Sequence, residues 1–279
     1  MGISRNAVGV FLHEAKRARM RGSILTLGRQ DVFVTREQLL EIMRSFDMKP
    51  VSEASQVLSR KASEAAGGLI SDQYLFQALG FSECKASDAS GYEDADFIFD
   101  LNRSETPQEL VERWDMVFDG GTIEHVFHVP NAFANIFKFL KLGGRIVHIA
   151  PSANHMDHGF YMFSPTLFWN YYTANGFDVN VCQVFRYTTD LYGGPWEISD
   201  YHPGALSRIC FGGLDDALYG VILIATKTEH STFDVIPRQA DVDHSLSSWA
   251  RVKRRIFGRS VAPRPPRHKG LGLRVHYRL

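Results

Sequence analysis

The residues of this 279-residue chain best suited to chemistry lie between positions 114 and 158. Glu124 and His125 follow a short apolar run that ends at Asp119, and His158 closes a second polar segment. An imidazole with a pKa of about 6.5 can remove a proton from a hydroxyl or an amine near neutral pH. We therefore predict that His125 is a general base, with His158 as the competing candidate. Glu124 either orients one of these imidazoles or serves only as an acid at the start of the next helix.

The same histidines raise the question of a metal ion. His125 and His128 are three residues apart, and so are His155 and His158. Zinc binds neutral imidazoles and carboxylates, and a catalytic zinc keeps one coordination position open. A spacing of three residues is nevertheless frequent in loops that bind no metal. The prediction from sequence is therefore that the chain has no metal site.

The elements around these residues read as strand, loop, helix, turn and strand. Residues 116–118 and 145–150 are apolar runs of the kind that form buried strands. Between them, apolar side chains recur on one face of a helix, at Phe133, Ile136, Phe137 and Leu140. We expect Asn131 to cap this helix and Gly143–Gly144 to end it. The two strands of such a unit are parallel, so both following loops, with the candidate residues, should open at one edge of a sheet.

Apolar runs elsewhere predict five further strands, at residues 23–28, 83–87, 95–101, 178–187 and 219–226. A capping box at Thr35 and Gln38 begins a helix, and Gly80 ends another. Residues 49–71 read as a short helix or an ordered insertion. Alternating strands and helices predict an α/β fold with a seven-strand, mostly parallel, doubly wound sheet.

Domain boundaries follow from composition. Residues 1–21 predict an amphipathic amino-terminal helix, and residues 22–227 form the main domain. Within it, residues 188–218 are an insertion rich in Tyr, Gly and Pro that we interpret as part of a substrate pocket. Residues 228–279 are a basic extension.

Charge and cysteine content restrict the class of protein. The formal net charge is zero, but the chain has ten Lys or Arg residues and no acid from position 251 onwards. Such a tail suits an anionic partner, while a solvated extension is the simpler interpretation. Three cysteines without a CxxC pair and the absence of a secretory signal or an apolar span predict a cytoplasmic protein with no transmembrane segment. The oligomeric state is not predictable from these features.

Several of these segments resemble the second half of class I S-adenosylmethionine-dependent methyltransferases. The matching segments are WDMVFDGG at the fourth strand, IEHV just after it, FLKLGGRIV at the helix end and FSPTLFWNYYTANGF further on. The resemblance covers roughly residues 22–227 and is firmest over residues 83–180. It implies the Rossmann-like methyltransferase fold, with S-adenosylmethionine as cofactor.

The resemblance also implies roles for the residues at the strand ends. Asp88, after the second strand, would accept hydrogen bonds from the ribose hydroxyls. Asp100, with Leu101 beside it, would contact the adenine amino group. Asp119 and Gly120 would face the methionine part, where a small residue allows close approach.

The first loop departs from the family pattern G-x-G-x-G. Only Gly28 remains, followed by Arg29 and Gln30. Arg29 could pair with the cofactor carboxylate and Gln30 could hydrogen-bond to it. Equally, the altered loop could mark a degenerate site.

From the resemblance we predict methyl transfer to oxygen or nitrogen of a small-molecule acceptor, with a sugar as the narrower expectation. A non-catalytic relative that uses the fold for binding is the alternative. An NAD-dependent oxidoreductase ranks third, since the dinucleotide glycine pattern is absent as well.

Overall fold

The computed structural model describes residues 2–52, 57–91, 93–190, 193–239 and 275–278. Twelve strands are present in these ranges: β1 Gly2–Ile3, β2 Gly22–Leu27, β3 Asp31–Thr35, β4 Leu69–Ser71, β5 Phe81–Asp88, β6 Phe97–Ile98, β7 Trp114–Asp119, β8 Leu140–Pro151, β9 Asp178–Tyr187, β10 Glu197–Asp200, β11 Leu218–Thr226 and β12 Val275–Arg278. Six α-helices accompany them: α1 Arg5–Arg17, α2 Arg36–Ser45, α3 Ala62–Ala66, α4 Asp72–Leu79, α5 Val129–Phe139 and α6 Pro165–Ala174.

The main sheet has nine strands in the order β6-β5-β2-β7-β8-β11-β9-β10-β12. Strands β6, β5, β2, β7 and β8 pair in parallel, whereas β11 is antiparallel to both β8 and β9. The first seven strands in this order confirm the predicted mostly parallel sheet of the Rossmann-like methyltransferase fold. The strand order reverses between β2 and β7, and a ligand crevice is expected at the carboxyl ends of strands at such a point.

Helices cover both faces of the sheet, as the doubly wound prediction requires. One apolar core lies between the sheet and α1, α2 and α4, with Phe11, Phe76 and Phe118 among its buried side chains. The other core lies beneath α5 and α6 and contains Phe133 and Phe168. Packing in the two cores holds the strands in place, and with them the loops that follow β7 and β8.

The amino-terminal segment is integrated into this body. Helix α1 lies within the predicted amino-terminal helix; Ser4 caps it by accepting from the amide of Ala7, and its apolar side chains pack in the first core. Strand β1 pairs with β3, and β3 pairs with β4, to form a second, three-stranded sheet. No strand was predicted at residues 31–35, but Val32 and Val34 are buried and their neighbours are not, which is the alternation of a strand.

The helix that follows β7 has other ends than the sequence suggested. The prediction that Asn131 caps α5 is wrong, because the helix begins at Val129 without a side-chain cap. The prediction that it runs to Gly143–Gly144 is also wrong: Leu140 pairs with Trp114, and β8 therefore starts at once. The glycines lie in an irregularity of that strand, where Gly143 adopts a φ of 78°.

The basic extension is described only in part. Residues 228–239 pack beside α6, where Tyr171 donates to the carbonyl of Phe233. Strand β12 then pairs antiparallel with β10 at the sheet edge. The hypothesis of an anionic partner rests on the Lys and Arg residues after position 250, and most of these lie outside the described residues.

Two further sequence expectations concern cysteines and membranes. Cys84, Cys182 and Cys210 are free thiols. Within the described ranges, no helix is long and apolar enough to cross a membrane.

Candidate active site

The turn after β7 is built on Asp119. Its Oδ1 accepts from the backbone amides of Thr122, at 2.9 Å, and Ile123, at 3.2 Å. These bonds hold the chain in a short 3₁₀ turn, Ile123–His125, so that Glu124 points inward and His125 lies at the surface. Asp119 thus shapes the loop that carries the candidate residues.

The second oxygen of Asp119 is also occupied. Oδ2 lies 2.7 Å from Nδ1 of His148, and Nε2 of His148 lies 2.7 Å from the hydroxyl of Tyr172. All three side chains are buried. Both carboxylate oxygens therefore have protein partners, and the role of Asp119 beside the cofactor stays a prediction.

The loop after β8 brings His155 and His158 back to this turn. Asn154 anchors the loop by donating to the carbonyls of Asp215 and Ala217. Gly159 packs directly on Glu124, where a β-carbon would lie 2.9 Å from the Glu124 carbonyl oxygen and 3.1 Å from its Cγ. Glycine is therefore needed at position 159 for this loop to close over the acid.

The result is a cluster of Glu124, His125 and His158. Nε2 of His158 lies 3.5 Å from Oε1 of Glu124, and Nε2 of His125 lies 3.9 Å from the same oxygen. The Glu124 side chain has 0% exposure, whereas those of His125 and His158 are 45% and 51% exposed. The two predicted catalytic histidines thus come together, with ring centroids 5.3 Å apart.

The carboxyl of Glu124 is electrostatically unusual. Among the described residues, neither Oε1 nor Oε2 accepts a hydrogen bond, although both are buried. Burial, followed by the charge of Asp119, raises the pKa of Glu124 to about 8. Burial and the neighbouring His158 lower the pKa of His125, which favours the neutral imidazole.

A cavity of about 500 Å³ opens beside this cluster. Its polar wall includes Glu124, His125, His155 and His158, and its apolar wall is mainly aromatic, formed by Phe33, Phe118, Phe185, Tyr187 and Trp196. Tyr187 lies 2.9 Å from Nε2 of His155, which holds that imidazole against the wall. Trp196 belongs to the insertion at residues 188–218, whose predicted role was to form a substrate pocket.

The point between β2 and β7 where the strand order reverses is called the switch point below. The residues predicted to contact adenosine lie on the side of this point away from the cluster. Asp88 ends β5, where its Oδ1 accepts from the amide of Ser90. Asp100 accepts from the amide and the side chain of Asn102, and these bonds lower its pKa. Leu101 is buried in a core. None of these three is among the described residues that line the cavity.

Arg29 turns away from the switch point. Its guanidinium lies 3.3 Å from Asp72 and 2.8 Å from Asp96, and it donates to the carbonyl of Asp94. The side chain is 8% exposed. The sequence-based hypothesis that Arg29 pairs with a cofactor carboxylate therefore competes with two existing ion pairs.

Gln30 fills the switch point itself. Its Nε2 donates to the carbonyls of Leu27 and Gly28, at 3.1 and 3.2 Å. Its Oε1 has no partner in the described structure and lies against Gly120, where a β-carbon would be 2.7 Å away. Gly28 adopts a φ of 73°, a conformation that favours glycine.

Sequence reasoning found the two histidines but not the state of Glu124. The sequence suggested that Glu124 either orients an imidazole or lies at the start of the next helix. Neither role requires a buried carboxyl without a hydrogen bond, and no local pattern indicates that state. The spacing argument for metals paired His125 with His128 and His155 with His158. The structure instead brings His125 and His158 to Glu124.

Comparisons with known proteins found similar solved structures but no matching sequence family. No family model matches the chain, and no curated protein matches it. It is similar to the solved structure of the Burkholderia thailandensis 1,6-didemethyltoxoflavin-N1-methyltransferase, with 13% identity over 81% of this chain and 78% of that one and a TM-score of 0.42.

Two further solved structures are similar at the same level. A SAM-dependent methyltransferase from Thermotoga maritima shares 14% identity over 80% of this chain and 90% of that one, with a TM-score of 0.37. The N-methyltransferase NodS of Bradyrhizobium japonicum shares 11% over 81% and 96%, with a TM-score of 0.39. At such values the assignment of the fold rests on the strand order described above.

Proposed function

We propose that this chain is an S-adenosylmethionine-dependent methyltransferase that acts on an oxygen or nitrogen of a small-molecule acceptor. The observation that carries the proposal is the cluster of Glu124, His125 and His158 beside a cavity at the carboxyl ends of β7 and β8. Methyl transfer from a sulfonium needs alignment and removal of the acceptor's proton. The cluster offers proton-accepting groups where an acceptor has room to bind.

The residues at the switch point fit part of the cofactor. The unpartnered Oε1 of Gln30 is a buried acceptor beside Gly120, which suits the ammonium group of the methionine moiety. Asp88 and Asp100 would hold the ribose and the adenine amino group from the ends of β5 and β6. When bound, the cofactor supplies an electrophilic methyl group. Arg29 is left out of this set because its ion pairs already engage it.

Proton removal would fall to the histidines. The lowered pKa of His125 keeps its imidazole neutral, the form that accepts a proton, and His158 is close enough to substitute for it. Oε1 of Glu124 lies within 4 Å of Nε2 of both rings, and in its ionised form Glu124 would stabilise an imidazolium. Proton transfer of this kind typically contributes ~10²–10⁴-fold to a rate.

A saccharide is the narrower proposal for the acceptor. Phe185 and Trp196 stack with ring centroids 4.0 Å apart, and Tyr187 lies beside them in the cavity wall. Flat aromatic faces suit the apolar face of a sugar ring, and the histidines opposite can accept hydrogen bonds from its hydroxyls.

A non-catalytic binding protein is the second candidate function. Its support is the first loop, where Gln30 occupies the space that the family pattern keeps open with glycines and Arg29 is fixed by Asp72 and Asp96. No observation favours the third candidate, an NAD-dependent oxidoreductase, but the same experiment tests it.

Ligand binding separates these candidates. Calorimetry with S-adenosylhomocysteine should give stoichiometric binding, and NAD should give none. Asp88→Ala should weaken the binding of S-adenosylhomocysteine by about tenfold or more, because each hydrogen bond to a charged carboxylate is worth ~1.5–3 kcal/mol. Asp94→Ala, at an exposed acid in the next loop, is the matched control and should change nothing. Absence of S-adenosylhomocysteine binding to the folded wild type would overturn the proposal.

Turnover tests the proton acceptor. With an identified acceptor, His125→Ala should lower kcat by ~10²–10⁴-fold while the affinity for S-adenosylhomocysteine stays within about twofold. His128→Ala, at an exposed histidine outside the cluster, should retain wild-type turnover. Wild-type turnover in His125→Ala would remove His125 from the mechanism.

A further inference from the structure

The cluster of Glu124, His125 and His158 has the composition of a metal site. It offers one carboxylate oxygen and two imidazole nitrogens, and these three atoms lie within 4.8 Å of one another. Ligand atoms around a tetrahedral zinc, at about 2.0–2.2 Å from the ion, are separated by roughly 3.3 Å. Because both imidazoles are about half exposed, rotations of their side chains can supply the remaining contraction.

The state of Glu124 is an independent observation that points to a cation. Its side chain is fully buried, and neither carboxylate oxygen accepts a hydrogen bond from the described residues. A buried carboxylate without a partner is costly, and buried charges in proteins are normally paired or bound to a metal. Oε1 lies 3.5 Å from Nε2 of His158 and 3.9 Å from Nε2 of His125, and imidazoles are metal ligands when neutral.

The surroundings hold the cluster in place without joining it. Asp119 fixes the turn that carries Glu124 and His125, and Gly159 allows the following loop to close over Glu124. His155 is nearby, but its Nε2 is engaged by Tyr187. Apart from His155, no further carboxylate or imidazole from the described residues of these two loops lines the cavity beside the cluster.

We propose that Glu124, His125 and His158 bind one divalent transition-metal ion. Two imidazoles and one carboxylate are the ligand set of catalytic zinc sites that keep a position open for water or substrate. Zn²⁺ is therefore the ion that the set suits best, and Co²⁺ is its spectroscopic substitute. The open position would face the cavity.

The site deepens the proposed function. A bound cation would lower the pKa of an acceptor hydroxyl that coordinates to it, so that the hydroxyl's proton could leave to water in the cavity while the histidines act as ligands and not as free bases. The binding of the cation can nevertheless be measured without methyl donor or acceptor, so that the two proposals fail separately.

The experiment is titration of chelator-treated full-length protein with Zn²⁺ by calorimetry and with Co²⁺ by visible absorption. We expect one ion per chain and the ligand-field bands of a four- or five-coordinate Co²⁺ site. Glu124→Gln, His125→Ala and His158→Ala should each weaken binding by at least tenfold. His158 is exposed, so that its variant should fold even where a change at the buried Glu124 does not.

His128→Ala is the matched control and should bind both ions like the wild type. Substoichiometric binding by the wild type would overturn the proposal, and so would an affinity that is unchanged in His158→Ala and His125→Ala or equally reduced in His128→Ala. S-adenosylhomocysteine is titrated into the same preparations. Cation binding without cofactor binding refutes only the proposed function, and the converse refutes only the cation site.

Discussion

The two halves of the carboxyl edge treat their charges in opposite ways. Over β2, β5 and β6, charged side chains are neutralised by one another: Arg29 by Asp72 and Asp96, and Lys61 by Asp31 and Glu93. Over β7 and β8, Glu124 is buried with neither oxygen hydrogen-bonded, and the two exposed histidines stand beside it. The first half thus uses its charged residues to build the fold, whereas the second half pairs Asp119 with His148 but leaves Glu124 without a hydrogen bond from the described residues.

The difference has an energetic meaning. A paired buried charge is stable only as long as its partner is present, so such residues are structural first. An unpaired buried carboxylate lowers stability, and proteins retain such groups mainly at sites of function. Gln30 is the exception in the first half, since its Oε1 is buried without a partner.

The largest effect is expected where the ion pairs over β2, β5 and β6 are broken. Arg29→Met should reduce the free energy of unfolding by about 3–5 kcal/mol, because it leaves the buried Asp72 carboxylate without its counter-charge. Urea unfolding measures the change. Arg103→Met, at an exposed arginine of the same edge, is the control and should stay within about 0.5 kcal/mol of wild type. An equal effect of both variants would mean that the Arg29 pairs contribute no more than a surface charge.

Over β7 and β8, a substitution of Glu124 is expected to raise the free energy of unfolding by a smaller amount. Since the pKa of Glu124 is raised from 4.5 in the unfolded chain to about 8, the folded state binds more protons between these values, and stability falls as the pH rises through them. Glu124→Gln removes this loss and should stabilise the metal-free protein by about 1–3 kcal/mol above pH 8 but not near pH 4. Unfolding followed in the presence of a chelator checks this. A gain that does not depend on pH would contradict the assigned cause.

The smallest effect concerns Asp96, a carboxylate whose pKa is shifted in the direction opposite to that of Glu124. Burial alone would raise the pKa of Asp96, but hydrogen bonds from the Ala86 amide and Lys85, with the charge of Arg29, lower it below 3.8. Its contribution to stability is thus complete above that value and is lost as the pH falls through the lowered pKa. Asp96→Asn should cost about 1 kcal/mol at neutral pH, since the pairs are partly exposed. The cost should disappear in acid, and a cost that persists there would indicate lost packing.

Local patterns were enough to predict most of the sheet and to single out His125 and His158 as candidates, whose catalytic role stays a prediction. Strand β9 has the predicted bounds, and the capping box of Thr35 and Gln38 forms with both hydrogen bonds. These features depend on residues close in sequence, so composition and periodicity reveal them. The ends of α5 were predicted wrongly because the pairing of Leu140 with Trp114 overrides the local glycine signal.

The sequence by itself determined the α/β fold, the order of its strands along the chain, and the presence of acid and imidazole groups after the fourth and fifth strands of the predicted sheet. Only the tertiary structure decided which of these groups meet. Glu124 and His158 come within 3.5 Å because β7 and β8 are parallel neighbours and Gly159 lets the second loop close over the first. The burial of Glu124 is likewise a property of the packed loops, and it places an ordinary acid out of reach of water at the centre of the candidate site.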